Sequence, residues 1–173
     1  LPAIRDDMGI SNTLAGSIGA ANVGAYLLGT MIVAWATSHY RLINVMRFGL
    51  SLVTLGLLLA SIASGPLMLA VGLFLTGMGG AFLWIPSPVI AADALPSDRR
   101  HLAVGLLGSG VGLGVMFASI LSGVLRSSGG DESWSSVYQI QFAVGFVLLC
   151  LVFLLIRHQQ AEPSGGAGLG GFG

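Results

Sequence analysis

Apolar residues fall in long unbroken stretches, and the polar residues gather in the short gaps between them. Five stretches, 13–37, 42–63, 66–94, 101–125 and 134–156, reach the roughly 20 residues that a helix needs to cross hydrocarbon. Runs such as Leu52–Ala60 and Val147–Ile156 are continuous and do not alternate, so they do not read as the strands of a membrane barrel. Ser11 is placed to cap the first helix. Ser64-Gly65-Pro66 ends the second and opens the third. Pro86 and Pro88 should kink the third in its last part, and Ser133 is placed to cap the fifth. The pattern predicts an all-α membrane protein with five transmembrane helices filling 13–157, after an extracytoplasmic segment at 1–12. Residues 158–173 are Gly-rich without periodicity and read as a cytoplasmic tail or linker.

Composition narrows this further. Charged residues are 8% of 173, and 54% are hydrophobic, against roughly 25% charged in a soluble domain. Too few charges exist to cover a water-facing surface, so the lipid bilayer is the first expected partner. Net charge is zero, which leaves no basic excess for nucleic acid. Cys150 is the single cysteine and excludes a disulfide within the chain. Leu1–Ile10 carries Arg5, Asp6 and Asp7 and lacks the apolar stretch of a signal peptide.

All seven positive charges are arginine. Arg41, Arg47, Arg99, Arg100 and Arg157 fall at one end of the spans, and Arg5 and Arg126 at the other, beside Asp6, Asp7, Asp131 and Glu132. By the positive-inside rule the five-arginine side is cytoplasmic. The chain is then expected as a multi-pass protein of the cell inner (plasma) membrane, starting outside and ending inside. An odd span count with an outside start leads us to expect one more helix upstream of Leu1.

Candidate chemistry is sparse. Polar groups at membrane depth are costly and often functional. Asn22 lies ten residues into the first helix, roughly 15 Å from its start, with Tyr26 one turn on. It is a candidate for a solute contact or for an interhelical hydrogen bond. Trp84-Ile85-Pro86-Ser87-Pro88 reads either as cavity lining through Trp84 and Ser87 or as a kink with Trp84 packed at the interface. Gly16, Gly24, Gly77, Gly108, Gly110, Gly112 and Gly114 are candidates for close helix packing, with Gly72, Thr76 and Gly80 spaced by four. Asp93 is placed either to pair with Arg99 or Arg100 or to stand as a solvated helix end, and Trp35 and Tyr40 are placed to anchor the inner boundary, Trp134 and Tyr138 the outer. His39, His101 and His158 lie in separate loops, so no metal or other cofactor is expected, and no catalytic set converges.

Leu1-Pro2-Ala3-Ile4-Arg5-Asp6-Asp7-Met8-Gly9-Ile10, Gly24-Ala25-Tyr26-Leu27-Leu28-Gly29, Phe74-Leu75-Thr76-Gly77-Met78-Gly79-Gly80-Ala81 and Leu95-Pro96-Ser97-Asp98-Arg99-Arg100 follow one another in an order that resembles the N-terminal half of a major facilitator superfamily transporter. The resemblance implies a partial six-helix half, helices two to six of a twelve-helix bundle. It also implies secondary active transport of a small solute by alternating access, with the remainder of the transporter as partner. Asn22, Tyr26, Thr76, Trp84 and Ser87 would then face the substrate cavity, and Arg41, Asp93, Arg99 and Arg100 would be gate or loop charges. Thr37 and Tyr40 stand where that family's loop carries Asp and Gly. Val115, Met116 and Phe117 follow the glycine series where its antiporters carry Pro, so an antiporter is not implied. The competing reading is a non-transporting helical scaffold or assembly subunit.

Overall fold

A computed structural model describes residues 9–129 and 134–155. Outside these described residues lie Arg5, Asp6, Asp7, Asp131, Glu132, Ser133, Arg157 and His158, with most of the 1–12 segment and the 158–173 tail.

The described chain is helical throughout its spans: α1 Asn12–His39, α2 Leu42–Ser61, α3 Pro66–Trp84, α4 Ser87–Asp93, α5 Arg100–Gly129 and α6 Trp134–Leu155, with a 3₁₀ turn at Ser97–Arg99. Five spans are long and apolar enough to cross a membrane, with α3 and α4 sharing the third. Gly9 precedes α1 at φ 61°, a left-handed conformation that glycine adopts freely. Ser11 then caps the helix, its Oγ accepting from the Leu14 N–H at 3.2 Å.

The break between α3 and α4 follows from its two prolines. Pro86 has no N–H for the Phe82 carbonyl and Pro88 none for the Trp84 carbonyl. Between them, Ser87 Oγ donates to the Leu83 carbonyl at 2.5 Å. Pro86 itself is fully buried.

α3 is the centre of the bundle. On one side it meets α2, running antiparallel: Gly49 lies against Gly79 and Phe82, Gly56 against Gly72 and Thr76, and Ala60 against Gly72. On another it meets α1, running parallel: Asn22 lies against Gly77, Tyr26 against Gly80, and Gly29 against Met78 and Ala81. A Cβ added at Gly49, Gly56, Gly72 or Gly79 would come within 2.5–2.8 Å of a neighbouring helix. At these contacts only glycine lets the backbones approach so closely, which is how helices associate where lipid removes the hydrophobic drive.

α6 covers the outer face of α2, also antiparallel. Trp134 packs on Ala60 and Leu69, Gly145 on Thr54 and Leu57, and the Arg47 guanidinium lies 5.3 Å from the Phe153 ring centre. Two apolar clusters hold opposite ends of the bundle. Ala60, Leu69 and Trp134 form one; Val33, Ala36, Val45 and Phe82 form the other, with Phe48 edge-on to Phe82 at 5.2 Å.

Several expectations change here. Gly16 and Gly24 meet nothing within 4 Å, because the buried stripe of α1 is Ala15, Ile18, Ala25, Gly29, Val33 and Ala36, on another face. Gly108, Gly110, Gly112 and Gly114 are likewise open among the described residues. α5 packs mainly on α4 and α6, and its glycine-rich middle is exposed. Trp134, expected as an interfacial anchor, is buried at 7% exposure, whereas Trp35 and Tyr40 remain exposed.

Candidate functional site

The polar centre of the bundle is built on the parallel α1–α3 seam. Asn22 Nδ2 donates to the Leu73 carbonyl at 2.5 Å and to Thr76 Oγ1 at 3.2 Å. Thr76 Oγ1 in turn donates to the same Leu73 carbonyl at 2.8 Å. Two side chains and one backbone oxygen therefore close a small network at mid-depth. Leu73 and Thr76 are within one turn of α3, so a single residue of α1 reaches both. Gly77 makes the reach possible. A Cβ there would collide with the backbone carbonyl of Asn22, so any larger residue would push α1 away.

Tyr26 sits one turn beyond Asn22, with its ring edge 3.7 Å from where a Gly80 Cβ would be. Thr76, Gly80 and Trp84 succeed one another at intervals of four and share a face of α3. Asn22, Tyr26, Thr76 and Trp84 thus line one seam: the first three are half-buried and Trp84 is exposed. Ser87 follows the kink, and its hydroxyl proton is committed to the Leu83 carbonyl. The structure brings Asn22 and Thr76 into contact, sets Tyr26 beside them, and places Trp84 and Ser87 further along toward α4.

The charged candidates form a separate group at one end. Asp93 Oδ1 and Arg100 Nη2 are 3.8 Å apart and exposed; Asp98 and Arg99 pair at 3.7 Å. Exposed pairs of this kind contribute about 0–1 kcal/mol. Arg41 is exposed just before α2. No group of three His, Cys, Asp or Glu able to hold a metal lies among the described residues. A shallow apolar groove on α6, lined by Ala143, Val144, Val147 and Leu148, includes none of the candidate residues.

Sequence reasoning missed Gly29, Gly49, Gly56 and Gly79 as contact glycines and the Leu73 carbonyl as an acceptor. The Gly72–Gly79 separation of seven residues, two helical turns, was a readable signal for the α2-facing side of α3. The carbonyl had none, because backbone groups leave no mark on residue type.

The model of the Major Facilitator Superfamily matches residues 1–172. An MFS-type transporter, pigP of Monascus ruber, is 31% identical over 64% of this chain and 19% of its own length. The multidrug efflux pump SdrM of Staphylococcus aureus is 23% identical over 94% of this chain and 35% of its own. The probable actinorhodin transporter of Streptomyces coelicolor is 27% identical over 92% of this chain and 28% of its own. The chain therefore spans between about a fifth and about a third of the length of these relatives. No solved structure matches it. With five apolar spans, the first two packed closely on the glycine-lined α3, and a family match over nearly its whole length, this chain belongs to the major facilitator superfamily.

Proposed function

We infer that this chain forms part of a secondary active carrier that moves a small organic solute across the cell inner membrane by alternating access. The observation that carries this reading is the Asn22–Thr76 pair at mid-depth in a bundle of this family, with Tyr26 beside it and Trp84 further along the same face of α3. Polar side chains held at that depth mark solute pathways more often than they mark lipid contact. The names of the relatives support a small organic solute, since one is a multidrug efflux pump and another a probable actinorhodin transporter. The test is flux by the full-length protein in proteoliposomes, under imposed ion gradients and across a broad solute screen. We expect at least one solute to accumulate above protein-free vesicles. Absence of any flux, while a control carrier works in the same vesicles, would overturn the reading.

The same reading places the α1–α2 turn in the cytoplasm and the α2–α3 turn outside, from the arginines at 41, 47, 99, 100 and 157. Ser38 and Ser64 are both exposed next to those turns. In a Cys150→Ala background, Ser64→Cys should react with a membrane-impermeant maleimide on intact cells. Ser38→Cys should react only after permeabilisation. The opposite pattern would invert the topology.

A further inference from the structure

The network on the α1–α3 seam has a direction. The Leu73 carbonyl can only accept, so the side of the Asn22 amide that faces it must be the NH₂ group; the flipped amide would set two acceptors against each other. The Asn22 NH₂ group is then engaged at both Leu73 and Thr76. The Thr76 proton is engaged as well. What Asn22 retains is its Oδ1, which makes no hydrogen bond among the described residues and is not enclosed. Tyr26, one turn along, adds a ring face and a hydroxyl, and Trp84 a second ring on the same strip.

Charge is absent from this strip. The described acidic, basic and histidine side chains are His39, Arg41, Arg47, Asp93, Asp98, Arg99, Arg100, His101 and Arg126. All lie at helix ends, in turns or in the outer turns of a span, and none belongs to the Asn22 strip. An anion there would meet an amide oxygen with no cation to offset its desolvation.

We propose that Asn22 is a specificity-determining acceptor, and that its Oδ1 selects neutral, planar solutes carrying a hydroxyl or N–H donor over their O-methylated or anionic counterparts. This rests on the carrier reading, because it requires the solute to pass along the seam. The NH₂ group of Asn22 holds α1 to α3, so the clamp itself presents the acceptor in a fixed orientation.

The probes are 1-naphthol, 1-methoxynaphthalene and 1-naphthoate, and the measurement is equilibrium binding to the purified full-length protein. In the unsubstituted protein we expect naphthol to bind about 10-fold more tightly than its methyl ether, the scale of one unmade hydrogen bond in a dry site, and naphthoate to bind weakest. Asn22→Leu should bring the naphthol-to-ether ratio to about one. Thr76→Val leaves Leu73 as the amide's partner and should keep the ratio. A purely structural clamp would make both variants less stable without moving the ratio.

Should Asn22→Leu fail to fold, the ratio in the unsubstituted protein still decides. A ratio near one, naphthoate binding as tightly as naphthol, or no binding by any of the three overturns the assignment. The two readings fail separately. Flux of solutes that lack a donor would leave the carrier standing and sink this selectivity, whereas the absence of all flux would sink the carrier.

Discussion

Gly77→Ala is expected to disrupt the bundle more than any other single-methyl change. The atom that the new Cβ would meet is the backbone carbonyl of Asn22, and a backbone cannot rotate aside as a side chain can. Overpacking of a close contact costs typically about 1–3 kcal/mol. Separating α1 from α3 would also break both hydrogen bonds of Asn22, each about 0.6–2 kcal/mol in a membrane. We expect a total loss of about 3 kcal/mol or more, read as a lower unfolding midpoint in detergent or as failure to elute as a single folded species. Gly110→Ala is the control. Nothing lies within 4 Å of its Cβ position, and alanine is the better helix former by about 1 kcal/mol, so its midpoint should be unchanged or higher. Equal midpoints for the two variants would refute the α1–α3 approach.

The second large effect is expected for Phe82→Ala. Phe82 is 5% exposed and joins Val33 and Ala36 of α1 to Val45 of α2, with Phe48 at its edge. Phe→Ala in water-soluble cores costs about 3–5 kcal/mol. In a bilayer part of that falls away, because the solvent displaced is itself apolar and only the lost contacts count. The expected destabilisation is therefore about 3 kcal/mol, the lower end. Leu106, at 71% exposure, gives the contrast: Leu106→Ala should leave the midpoint within about 0.5 kcal/mol of the original. If Phe82→Ala were as mild as Leu106→Ala, the cluster would not be what ties the three helices at that end.

The five spans could be read from hydrophobic runs alone, because length and continuity are one-dimensional properties. The kink at Pro86 could be read too, since a proline removes an N–H wherever it stands. Partner choice between helices could not. Gly16 and Gly24 have the same spacing as working contact glycines, yet the stripe that α1 buries lies on another face. The glycines of α5 repeat most regularly and touch nothing described, while Gly49 and Gly56, seven apart, make some of the tightest approaches. A small residue permits contact; which neighbour arrives is set by the packing of whole helices. At the candidate site, Asn22 stood out in the sequence as a polar residue at depth. Whether it would reach a neighbouring helix or a solute depended on a carbonyl that no residue type announces.

The parallel pairing of α1 with α3 has a consequence for how the protein is made. Asn22 and Leu73 are 51 residues apart, and α2, running in the opposite direction, is made after the first and before the second. At synthesis rates of about 5–20 residues per second, the amide of Asn22 enters the membrane about 3–10 s before its partner carbonyl exists. During that interval α1 carries an unsatisfied polar group in hydrocarbon, so it has reason to linger at the insertion machinery until α3 emerges. The clamp that later joins two helices would thus act first as a timer, holding an early segment back for a late one.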